Sequence, residues 1–247
     1  MTGADWIRAD WPAPQSVIAG TTLRGGGVST GQYTALNLGA QVDDEPGAVE
    51  ENRRRFRKLC QLPAEPVWLR QIHGTTVVAD PPAATPAEAD AIVSRRAETV
   101  CAVLTADCLP VLLAAADGSE VAAAHAGWRG LCAGVLEETV ARLSAKPQSL
   151  LAWLGPAIAQ AAFEVGPEVR AKFLARDQAA AGSFVSNERG RWQADLYELA
   201  RLRLQQAGVT RVYGGDRCTF AEPACFFSYR RDGPCGRMAT FIFRKSA

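Results

Sequence analysis

Residues 105–130, TADCLPVLLAAADGSEVAAAHAGWRG, decide how this chain folds. Two apolar runs, 109–116 and 120–126, flank Asp117-Gly118, and Asp-Gly between apolar runs signals a two-residue β-hairpin turn. With those two residues at the centre, Ala116 faces Ser119, Ala115 faces Glu120 and Pro110 faces His125. Cys108 then lies diagonal to His125, and diagonal cross-strand neighbours sit roughly 7 to 8 Å apart, a gap that one metal ion bridges. Pro110 has no amide hydrogen to give a ladder, so this end of the hairpin is expected at an edge or rim.

Downstream, Gly127-Trp128-Arg129-Gly130 hands over to one helix, in which Leu131, Val135, Leu136, Val140 and Leu143 recur at helical spacing. Strand patterns are expected over 16–23, 67–72, 75–79, 90–93, 100–105, 149–154, 209–213, 225–229 and 238–243. Pro46 after an acidic run opens a helix reaching about Leu62, and a second helix is expected over 167–176. Asp195 with Glu198 forms a capping box for a helix that Gly208 ends. Residues 81–89, rich in Pro and Ala, are expected as a surface loop. Mixed hairpins and helices without a fixed-period repeat point to α+β layers in a single domain spanning residues 1–247.

Composition narrows the function. Lys and Arg total 27 against 26 Asp and Glu, which argues against a nucleic-acid surface. The longest apolar region, 100–126, is broken by Asp107, Pro110, Asp117 and Glu120, and the first residues lack a signal-peptide pattern, so a cytoplasmic protein without membrane contact is expected. Seven cysteines without close spacing fit reduced thiols.

The two histidines, His73 and His125, carry the chemistry. If His73 reaches the rim that holds Cys108 and His125, two imidazoles and a thiolate form a three-ligand zinc site with a fourth position open. Asp107, beside Cys108, is placed to shuttle a proton or orient a ligand. Equally, Cys108 and a histidine make a thiol nucleophile and its base. Copper takes the same donors, yet no histidine remains for a second copper centre, which excludes a multicopper oxidase within one chain. Arg230, Arg231 and Arg237 on one tail loop, and Arg129 at a helix start, suit anions or local acids.

Gln71-Ile72-His73-Gly74, Thr105 to Pro110, His125 to Gly130 and Phe227 to Asp232 together resemble the YfiH-type family, known as purine nucleoside phosphorylases and formerly as laccase-domain or polyphenol oxidase proteins. The resemblance runs from about residue 21 to 243 and includes Leu36-Asn37-Leu38-Gly39 and Glu51-Asn52-Arg53-Arg54. It implies a four-layer α-β-β-α sandwich with mixed sheets and metal ligands at His73, Cys108 and His125. It also places Asn37, Arg53 and Arg230 around the substrate. The implied activity is zinc-dependent phosphorolysis of adenosine, inosine, guanosine and S-methyl-5′-thioadenosine with adenosine deamination, the partners being nucleoside and phosphate and the chain a monomer. A cytoplasmic amidase that edits peptidoglycan precursors and a copper-dependent phenol oxidase are the other enzyme readings. A structural zinc module is the non-enzymatic one.

Overall fold

The computed structural model describes residues 6–80 and 87–246, so most of the expected 81–89 loop lies outside the described residues. Its strands in chain order are β1 (Trp6–Arg8), β2 (Val17–Thr22), β3 (Val77–Ala79), β4 (Ala91–Ser94), β5 (Cys101–Thr105), β6 (Leu109–Ala115) and β7 (Val121–Ala126). They continue with β8 (Leu150–Leu154), β9 (Glu164–Val165), β10 (Phe184–Ser186), β11 (Trp192–Ala194), β12 (Arg211–Gly214) and β13 (Met238–Arg244). The α-helices are α1 (Pro46–Leu59), α2 (Trp128–Ala133), α3 (Val135–Arg142), α4 (Pro167–Arg176), α5 (Leu196–Gln206) and α6 (Tyr229–Asp232).

Two large sheets stack. One runs β1-β2-β13-β5 and is antiparallel throughout; the other runs β12-β8-β6-β7-β4-β3 and is mixed, with parallel pairs at both ends. Side chains alternate along a strand, so each sheet buries two faces. Leu112, Ala114 and Ala123 of the six-stranded sheet meet Val17, Val103 and Ile242 of the four-stranded one. On the far side of the six-stranded sheet, Val111, Leu113 and Ala124 pack with Leu136 of α3, Phe173 of α4 and Leu199 of α5. Outside the four-stranded sheet, Phe241 and Ala102 pack with Phe56 of α1. The layers are therefore α-β-β-α, as the resemblance implied, with only the larger sheet mixed. A third, small sheet, β10-β11-β9, packs Val165, Phe184 and Ala194 into the same core as α4 and α5.

The hairpin register is as expected: Pro110 pairs with His125 and Leu112 with Ala123. The turn is not. Gly118 donates to the Ala115 carbonyl at 2.9 Å and alone takes a positive φ, 74°, so Ala116 and Asp117 occupy the bend and the loop spans four residues. A two-residue turn of the mirror-image type would need Asp117 at positive φ as well. Nor is the hairpin an edge: β6 lies between β8 and β7. Pro110 is the second residue of β6, at its entry into the sheet, where its carbonyl accepts from the Gly155 amide and no amide is required of it.

Other expectations need correction. The helix after Gly130 is two helices, α2 and α3, parted at Gly134 with φ 110°. Residues 67–72 make only isolated bridges at Val67 and Arg70. Residues 225–229 form no strand; Ser228 caps α6 by accepting from Arg231 N–H, and Phe226 and Phe227 are buried in a small cluster with Met238. Apolar runs alone do not distinguish a strand from a loop that merely buries its side chains. Helix α4 has the expected bounds, and Asp195 caps α5 by accepting from Glu198 N–H. Among the described residues no helix is long and apolar enough to cross a membrane.

Candidate metal centre

Cys108 occupies the short link Ala106-Asp107-Cys108, where the chain leaves β5 in one sheet and enters β6 in the other. His125 is the penultimate residue of β7, beside the mouth of the same crossover. His73 arrives from a loop, held at φ 60°. The ligand atoms of His73, Cys108 and His125 all lie within 4.8 Å of one another. Cys108 Sγ is 3.8 Å from His73 Nε2, and the two imidazoles meet edge to face at 4.7 Å. Gly127 is required here: a Cβ would come within 2.9 Å of His73 Cδ2 and 3.0 Å of Cys108 Sγ.

Asp90, fully buried just before β4, accepts from His125 Nδ1 at 2.8 Å and from the His73 and Gly74 amides at 2.9 and 2.6 Å. Burial raises its pKa, but the hydrogen bonds from His125 and Gly74 outweigh this and hold the carboxyl below the ordinary value. Sequence reasoning missed Asp90. Its only signal was an acidic residue opening a strand otherwise free of charge.

Burial also disfavours the Cys108 thiolate, yet the His125 charge and hydrogen bonds from both histidines hold the thiol at about 6. His125 is pushed up to about 9, burial being outweighed by Cys108 and Asp90. The thiolate fraction rises with pH and is lost as pH falls through about 6. In metal-free protein, alkylation of Cys108 by iodoacetamide is therefore expected to follow a midpoint near 6, and bound metal to suppress it. A midpoint near the ordinary 9 would contradict the geometry.

The three residues sit on the wall of a cavity of about 590 Å³ whose lining also includes Arg53, Arg129, Arg230 and Arg237. Arg53 lies over the Trp68 ring at 4.1 Å and bonds the Leu38 carbonyl; burial pulls its pKa down. Arg230 reaches the Ala162 and Glu164 carbonyls and lies 5.3 Å over Phe163. Arg129 lies over Trp128 at 4.7 Å. Arg231, by contrast, is taken up by Asp232 and the carbonyls of Thr219, Phe220 and Phe226.

Asp107 lines the cavity, but its oxygens accept from Thr219 Oγ1 at 2.6 Å and from Arg230 N–H at 2.7 Å, so its carboxylate anchors the Arg230 turn. Asn37 is fully buried and stays out of the cavity wall; it binds Gly39, Asp44 and the Arg237 amide, and so shapes the 39–42 loop that does line it.

A family profile described as multi-copper polyphenol oxidoreductase laccase matches residues 18–245. The Escherichia coli protein named purine nucleoside phosphorylase YfiH is 54% identical over 240 residues, covering 96% of this chain and 98% of its own. A purine nucleoside phosphorylase of Pseudomonas aeruginosa is 52% identical over 240 residues, with the same coverage. A crystal structure of a Neisseria meningitidis protein superposes with a TM-score of 0.95 at 48% identity, covering 98% of this chain and all of that one. The chain thus belongs to this laccase-like family, as a homologue of enzymes named purine nucleoside phosphorylase.

Proposed function

We propose that this protein is a zinc-dependent purine nucleoside phosphorylase acting on adenosine, inosine, guanosine and S-methyl-5′-thioadenosine, and that it also deaminates adenosine. It is expected to work as a cytoplasmic monomer. The observation that carries the reading is the His73, Cys108 and His125 cluster on the wall of an arginine-lined cavity. Two neutral imidazoles and a thiolate suit zinc, and three protein ligands are the usual number where a fourth position serves chemistry. The depressed Cys108 pKa fits a donor already poised as thiolate. A zinc ion in this place supplies Lewis acidity and activates water near neutral pH.

The chain's own groups supply the rest. Phe163 and Trp128 line the cavity where a purine would stack, and Arg230, Arg129 and Arg53 line it as the cations that would meet phosphate. In phosphorolysis a phosphate oxygen bonds C1′ while the C1′–N9 bond breaks and its electron pair leaves with the base. Holding both reactants in one cavity lowers that barrier by removing the entropy of encounter. In deamination the oxygen of water replaces the C6 amino group, which leaves as ammonia.

Copper is the competing occupant, since the family description names it and a Cys and two His are also copper donors. The purified protein is expected to contain one zinc per chain. Inosine with phosphate should yield hypoxanthine and ribose 1-phosphate, and adenosine alone should yield inosine. Copper with phenol oxidation would favour the oxidase, and zinc with cleavage of a peptidoglycan precursor but no nucleoside turnover would favour the amidase.

A further inference from the structure

One carboxylate touches both histidines of the centre. Asp90 Oδ1 accepts from His125 Nδ1 at 2.8 Å and from the His73 amide at 2.9 Å, while Oδ2 accepts from the Gly74 amide at 2.6 Å and the Ile72 amide at 3.3 Å. Its backbone carbonyl takes the His125 amide at 2.7 Å. His73 stands at φ 60°, a region that a non-glycine residue holds only when its surroundings fix it. The three amides converging on Asp90 are what fix it. On the other side of His125, Nε2 faces the pinch at Gly127, 3.4 Å from where a Cβ would stand, with Cys108 Sγ beside it.

We propose that Asp90 is the positioning residue of the metal centre. It keeps the proton of His125 on Nδ1, so that Nε2 presents its lone pair to the ion, and it holds the His73 turn so that the second imidazole meets the first. This rests on the reading that the trio holds zinc. A loop anchor alone would be complete with the three amides. The fourth partner, an imidazole nitrogen on a different strand, is what makes the carboxylate part of the site. An amide cannot replace it, because an NH2 group would then face either the Gly74 and Ile72 amides or the His73 and His125 donors.

The test uses full-length wild type, Asp90→Asn and Asp90→Ala. Histidine tautomers are read by long-range proton–nitrogen NMR of the zinc-loaded protein, and zinc affinity by competition with a chromophoric chelator. The expected result is a wild-type His125 protonated on Nδ1, zinc bound 10- to 100-fold more weakly by both variants, and a fall in kcat with KM for nucleoside nearly unchanged. A wild-type His125 protonated on Nε2, or variants with wild-type affinity, would overturn the role of Asp90 alone. Should neither variant fold, the wild-type tautomer decides. A wild type that binds no zinc sinks the functional reading and this inference with it.

Discussion

Cys108→Ala should lose its metal and at least about a thousandfold in kcat/KM, the equivalent of ~4 kcal/mol of lost electrostatic stabilisation. The thiolate is one of only three side-chain donors in the cluster, and the two imidazoles that remain cannot hold zinc in a tetrahedral site without recruiting further water. The fold should survive, because Cys108 lies in a link between strands and belongs to none of the apolar cores. Metal content separates this account from its rival. A variant that keeps one zinc per chain yet is inactive would make Cys108 a nucleophile and not a ligand.

Phe241→Ala should strongly destabilise the fold, costing about 3–5 kcal/mol. Phe241 is fully buried at the middle of β13, with its ring 5.3 Å from both Phe56 and Trp6. Removing it opens a cavity between α1 and the four-stranded sheet, on the outer face of that sheet. For a chain of this size the melting temperature should drop on the order of 10 °C. Urea unfolding reads the loss directly; a change below about 1 kcal/mol would mean that the outer layer closes over the gap. Zinc content of the folded protein should not change, since none of these rings touches the centre.

Much of the site could be read from residues 105–130 because its logic there is local. Asp-Gly fixed the register well enough to set Pro110 opposite His125, although the bend itself is built differently. The approach of His73 was not local. It depends on hydrogen bonds to Asp90, which is distant in sequence and gives no pattern of its own. The same holds for Asn37, whose contacts with Gly39 and the Arg237 amide leave it out of the cavity wall. Residues 67–72 and 225–229 have the composition of strands, yet lack the neighbours that would give them a ladder. A strand is defined by its partner, and a single sequence does not name the partner.

The crossover between β5 and β6 has a mechanical meaning. Thr105 is anchored in the four-stranded sheet, opposite Met238, and Leu109 in the six-stranded sheet, opposite Ala126, with Asp107 at φ 94° between them. Sliding of one sheet over the other would strain this link, the shortest of those that cross between them, and Cys108 lies in it. His125 travels with the six-stranded sheet alone. The gap between sulfur and imidazole therefore reports the alignment of the two sheets, and an ion held across it would tie them together at that point.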